Sequence, residues 1–105
     1  MNFRDLLKCK SLTFDVTQED IDNGKLGSYR FCPIAHAINR EVGLKTNSTW
    51  VSGGVCDNRI NVYESKGSWR KQVFLHSPES MKFAMDFDRE QPVQPATFTI
   101  QRTLE

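Results

Sequence analysis

Neither charge predominates in this sequence: 14 Lys and Arg stand against 13 Asp and Glu, leaving +1 over 105 residues with His neutral. That balance argues against a domain that holds nucleic acid or an anionic membrane through its overall field. Apolar runs are short, none near the ~20 residues of a bilayer span, and residues 1–11 are too polar for the apolar region of a signal peptide. Both absences predict a chain that stays clear of the membrane. Cysteine is sparse and odd in number, at three, which suits a reduced, cytoplasmic protein and not a disulfide scaffold. No internal repeat, low-complexity tract or Pro/Ser-rich linker divides the chain. Residues 1–105 therefore read as a single α+β domain, with 1–11 a short basic segment that either frays or docks through Leu6-Leu7.

Aromatic residues are present in the number a core needs: seven Phe and two Trp, in a chain 38% hydrophobic and 26% charged. A domain of this length buries roughly 60–70% of the surface its unfolded chain exposes, enough for one modest core. Leu12, Phe14 and Val16 alternate with Thr13 and Asp15, the period of a strand with one buried face. Thr17 before Gln18-Glu19-Asp20 is an N-cap followed by acids at the positive end of a short helix, which Asn23-Gly24 ends. Pro33 fits the first position of a longer helix. Ile34, Ala35, Ala37, Ile38 and Val42 gather on one side of it, His36, Asn39 and Arg40 lie opposite, and Gly43 stops it.

Trp50-Val51 predicts a weak strand, and Gly53-Gly54 and Asp57-Asn58 are turn or bulge chemistry. Arg59–Glu64 and Trp69–His76 alternate on either side of a Lys66-Gly67 turn, the pattern of a hairpin. Ser77-Pro78-Glu79 opens a last helix, whose Met81, Phe83, Ala84, Met85 and Phe87 spread over a wide apolar arc. Phe98 and Ile100 alternate in a closing strand. The expected order is β-α-α-β-β-β-α-β. The expected fold is α+β, an antiparallel sheet of four to five strands covered on one face by two or three helices.

Thr17-Gln18-Glu19-Asp20-Ile21-Asp22-Asn23-Gly24 leads into Cys32-Pro33-Ile34-Ala35-His36-Ala37-Ile38. Later come Phe83-Ala84-Met85-Asp86-Phe87-Asp88 and Val93-Gln94-Pro95-Ala96-Thr97-Phe98. This set resembles a pattern in small, mostly uncharacterised proteins of bacteriophages and prophages, and it skips Ser48–Lys71. The resemblance implies a phage-type context, in which short proteins bind and block a host enzyme or defence complex, anti-CRISPR proteins among them. It implies no catalytic residue, because such proteins share no activity.

Four constellations could carry chemistry. Cys32, at the expected N-cap, faces unpaired N–H groups that favour a thiolate, with His36 one turn on as a possible base. The plainer reading is a packing cysteine, the usual role of a free thiol. Cys9, Cys32, His36 and Cys56 could together form a zinc set, although no Cys-x-x-Cys knuckle is present. Arg59, Arg70 and Lys71, with Lys66, cluster about the hairpin among Trp50, Tyr63 and Trp69, a surface able to track phosphates and stack bases or to meet a protein. Asp15, Glu19, Asp20 and Asp22 form an acidic segment that either stabilises its own helix or mimics nucleic-acid charge toward a partner's basic groove. Asp86, Asp88 and Glu90 form a second acidic run, near the end of the last helix.

These features predict a non-enzymatic protein without a cofactor that binds a host protein or defence complex in the cytoplasm. Its contact residues would be the acidic segment and the aromatic-basic hairpin. The alternatives are a nucleic-acid or nucleotide module using the hairpin, and a thiol- or zinc-dependent protein centred on Cys32. The apolar arc holding Phe83 and Phe87 could bury one flank against a second copy, as a homodimer, or be covered by the N-terminal Leu6-Leu7 segment.

Overall fold

Alternation along five segments builds the sheet, and helices cover one of its faces. The computed structural model describes residues 2–44, 49–51, 58–64 and 70–103. In chain order the elements are α1 (Phe3–Leu6), β1 (Ser11–Val16), α2 (Gln18–Asn23), α3 (Pro33–Val42), β2 (Thr49–Val51), β3 (Arg59–Tyr63), β4 (Lys71–Leu75), α4 (Pro78–Asp88) and β5 (Ala96–Arg102). The strands form a single sheet in the order β1-β5-β4-β3-β2, every pair antiparallel. The fold is α+β with mixed helix and strand, and α1 is the one element the sequence pattern did not predict. No helix among the described residues is long and apolar enough to cross a membrane.

The covered face carries the core. Leu12, Phe14 and Val16 on β1, and Ile60 and Val62 on β3, are all buried. Phe14 and Phe98 are cross-strand partners with ring centroids 5.9 Å apart, and Phe83 of α4 meets Phe98 edge-on at 5.4 Å. This aromatic triplet fixes α4 against the sheet, each pair adding about 0.5–1.5 kcal/mol beyond its buried area. The expected wide apolar arc of α4 is not buried as a whole: Phe83 is buried, whereas Met81, Ala84, Met85 and Phe87 are only half-buried. One aromatic knob is enough to seat this helix.

The N-terminal segment is docked, not frayed. Asn2 caps α1 in a reciprocal capping box with Asp5, and Phe3 and Leu6, one turn apart, are buried. The Leu7 carbonyl, just beyond, accepts bonds from Gln72 and Arg102 at 3.4 Å each. These two side chains lie on the covered face, opposite Val62 and Phe74 in the ladder.

Helix α3 is bounded as its sequence requires. Pro33 occupies the first turn, and Gly43 adopts φ +71°, the left-handed stop in which Leu44 N–H reaches the Asn39 carbonyl at 2.7 Å. Gly24 ends α2 for a different reason. Its backbone is extended, but an added Cβ would lie 2.6 Å from the Pro33 ring, so a side chain there would push α3 away. Asn39 is corrected from the wet side of α3 to the interior: it is 5% exposed and accepts the Thr49 hydroxyl at 2.5 Å. That bond ties α3 to β2 at a point where an apolar side chain would leave the buried Thr49 hydroxyl without its partner.

Arg40 does lie opposite the apolar stripe, and it joins three elements. Its guanidinium grips both carboxylate oxygens of Asp20 on α2, at 2.6 and 2.9 Å, and donates to the Asp15 carbonyl of β1 at 2.7 Å. Asp20 is buried and also accepts the Thr17 N–H at 2.9 Å while Thr17 caps the Asp20 N–H. Burial alone would raise the Asp20 pKa, but the Arg40 hydrogen bonds, together with Thr17, hold it below its ordinary value.

Two stability outcomes follow. Arg40→Ala should lower the unfolding free energy in urea by about 1.5–3 kcal/mol, because it strands a buried carboxylate. Since folding depresses the Asp20 pKa, its contribution is complete above about pH 4 and is lost as the pH falls through the folded value. The acid limb of the stability curve should therefore flatten in Arg40→Ala, and an unchanged limb would contradict the role given to this pair. At the end of α4, Glu90 takes the same left-handed stop as Gly43, with φ +59°. Glu90→Gly should raise stability by about 0.5–1 kcal/mol in the same assay.

Candidate functional site

Strand alternation decides which side chains face away from the helices. On β3 these are Arg59, Asn61 and Tyr63, and on β4 their cross-strand partners Leu75, Val73 and Lys71. Arg59, Lys71 and Leu75 are exposed, and Asn61, Tyr63 and Val73 half-buried. Lys71 Nζ stands 5.8 Å from the Tyr63 ring centroid, a cation–π contact between register partners. Along the same face, β1 and β5 present Ser11, Thr13 and Asp15 against Gln101, Thr99 and Thr97, all exposed. The Thr13 and Thr99 hydroxyls share a hydrogen bond at 2.8 Å, and Thr97 donates to Asp15 at 2.6 Å. Among the described residues no helix packs on this face. It is polar and uncharged in the middle, apolar and basic at the β3–β4 end, and acidic at the far corner of β1.

The other hairpin residues separate from this group. Arg70 pairs with Glu64 at 3.2 Å and lies 5.9 Å from the Phe3 ring, so it belongs to the packing around α1. Trp50 takes the register position opposite Asn61. Trp69, Lys66-Gly67, Gly53-Gly54 and Cys56 lie outside the described residues.

The acidic segment is not one patch. Asp20 is buried in its contacts with Arg40 and Thr17. Asp22 accepts the Gln18 side chain at 2.9 Å, and Asp15 accepts Thr97. Asp15, Glu19 and Asp22 remain exposed, but the nearby Arg40 guanidinium offsets their field. Asp20 therefore caps α2 and joins it to α3, while Asp15, Glu19 and Asp22 keep their carboxylates at the surface.

Cys32 occupies the N-cap of α3, as its sequence position predicts, but makes no side-chain cap bond. Its environment matches the plainer of the two readings, a packing cysteine, and not the thiolate. Burial pushes the thiol up to about 11, outweighing the Ala35 and Ile34 N–H groups that favour the thiolate, and the Asp88 carboxylate adds to the rise. A thiol held that high stays protonated near neutral pH, which favours the packing reading of Cys32 over the activated nucleophile. His36 lies beside Phe31, ring centroids 6.5 Å apart, and its Nε2 is buried without a hydrogen-bond partner. Cys9 donates to the Asp5 carbonyl beside α1 at 3.2 Å. No group of three or more His, Cys, Asp or Glu able to hold a metal occurs among the described residues.

Two features escaped the sequence. His76 Nδ1 and Ser80 Oγ lie 2.8 Å apart, the distance of a nucleophile and its base. Ser80 is wholly buried, accepts the Ser77 N–H and donates to the Ser77 carbonyl, so its hydroxyl is held within the N-cap of α4. The second is a cleft of about 150 Å³, lined by the 27–29 loop, the first turn of α3, Val51 and the last turns of α4. Asp88, at the end of α4, accepts the Gly27 N–H at 3.1 Å and so joins the loop to the helix.

The Cys32 environment has a direct chemical consequence. At pH 8, iodoacetamide should alkylate Cys32 about two orders of magnitude more slowly in the folded protein than in urea, read by peptide mass mapping. Equal rates would restore the activated thiol. Comparison with protein-family models, with curated proteins and with solved structures finds no match.

Proposed function

We propose that this chain is a non-enzymatic binding module that docks a partner protein against the β3–β4 end of its uncovered sheet face. The observation that carries this reading is the grouping of Arg59, Tyr63 and Lys71 with Val73 and Leu75 on a face that no described helix covers. Cations, an aromatic ring and apolar surface in one patch suit an interface whose centre is dry and whose charges select an acidic partner. The resemblance of the α2–α3 and α4–β5 segments to small phage and prophage proteins supports a bacterial host protein or defence complex as that partner. Inhibition would then result from occupying the partner's surface, in the host cytoplasm.

A nucleic-acid module is the second reading, favoured by the same cations beside Tyr63. Lys71 already stands over the Tyr63 ring, which competes with a stacked base, and the chain has almost no net positive charge. Protein binding is therefore the reading adopted.

Affinity capture from bacterial lysate with the tagged wild-type chain should return a stoichiometric complex. The Arg59→Glu, Lys71→Glu double variant should bind the captured partner at least about tenfold more weakly while keeping the wild-type unfolding midpoint. Equal binding by the two proteins would overturn the proposal. Single-strand affinity that falls steeply with added salt, without a protein partner, would favour the nucleic-acid reading.

A further inference from the structure

The cleft beside α3 lies on the helical side of the sheet and plays no part in the binding reading above. Ile34, Phe83 and Phe87 give it apolar walls, and the neutral Cys32 thiol adds no charge. Asp88 is the one charged side chain among its described lining residues, and it is exposed. It is also the last residue of α4, where the helix dipole is negative and the last turn holds no basic residue. Asp88 and the helix end thus place negative charge at the mouth of an apolar interior, next to Arg89, the C-cap of α4, while the Arg30 guanidinium is taken up over the Tyr29 ring, 5.8 Å from its centroid.

Size decides between classes of occupant. Pockets that enclose whole metabolites measure about 300–1,000 Å³, whereas this one, at about 150 Å³, holds a single large side chain. Leu26 and Tyr29, 51% and 52% exposed, sit on the loop that lines it. They extend the apolar surface beyond the cleft, as a polypeptide occupant would use and a small ion would not. We infer that this cleft receives one Leu- or Phe-sized side chain of a partner polypeptide, with a neighbouring Lys or Arg held by Asp88. A buried anchor beside a rim charge pair is the usual composition of an interface hot spot.

The test is an amide chemical-shift titration of the ¹⁵N-labelled full chain with two probes, acetyl-Phe-Lys-amide and acetyl-Phe-Glu-amide. The Lys probe should shift the Gly27, Ser28, Ile34 and Ala84 amides and bind about fivefold more tightly than the Glu probe. In Asp88→Asn, which keeps an acceptor for the Gly27 N–H, the two probes should bind within about twofold of each other. Ala84→Trp, which fills the cleft, should abolish both sets of shifts. Lys71→Glu, on the opposite face, should change neither, so loss of sheet-face binding and loss of this site are separable. Absence of shifts at those amides, equal binding of the probes to the wild type, or a preference that survives Asp88→Asn would each overturn the inference.

Discussion

The architecture depends on one guanidinium. Arg40 projects from α3 to the buried Asp20 carboxylate of α2 and to the Asp15 carbonyl of β1, so a single side chain sets the relative positions of two helices and an edge strand. Breaking a buried ion pair from one side leaves a desolvated charge, which costs more than the pair contributes when intact. Arg40 is itself half exposed, so the penalty falls mainly on Asp20. The same contact occupies an edge carbonyl of β1, which reduces the strand's capacity to pair with another chain. It also removes Asp20 from the acidic segment's surface, since that carboxylate is an internal ligand for a cation.

From this anchor the two faces of the sheet diverge. The helical face is closed by the Phe14, Phe98 and Phe83 stack and by the Thr49–Asn39 bond at its other side. The opposite face follows from alternation: on β1, β3 and β5 the residues between the inward apolar ones are polar or aromatic, while β4 turns Val73 and Leu75 outward. Its β1–β5 half satisfies itself through the Thr13–Thr99 hydroxyl pair and the bond from the Thr97 hydroxyl to the Asp15 carboxylate, both between register partners. Its β3–β4 half retains exposed cations and apolar surface. That asymmetry is the physical basis for assigning recognition to one end of the sheet.

Much of the fold was legible because each element carried two agreeing signals. For α3 these were Pro33 and Gly43 at the ends with an apolar stripe between, and for α4 the Ser77-Pro78-Glu79 cap. For β1 and β5 the strict alternation sufficed. Asn39 was misassigned because helical periodicity locates a face but not the Thr49 hydroxyl that a distant strand brings to it. Gly24 ends α2 where the sequence placed the stop, but its close approach to Pro33 depends on the fold and was not legible. At the site, the hairpin was legible but its register was not, since a two-residue Lys66-Gly67 turn would set Tyr63 opposite Arg70 and its partner is Lys71; the cleft was invisible because four separate segments form it. Cys32 shows the limit most clearly: its N-cap position was legible and left both a thiolate and a packing role open, and only its burial in the fold decides for packing.

The central claim, that the β3–β4 end of the open face is the contact surface, is tested most directly by lysine acetylation footprinting of the captured complex. Lys71 should lose reactivity on complex formation, while Lys82, on the outer side of α4 and 77% exposed, should react as in the unbound protein. Lys71 reacting equally in the bound and unbound protein would contradict it.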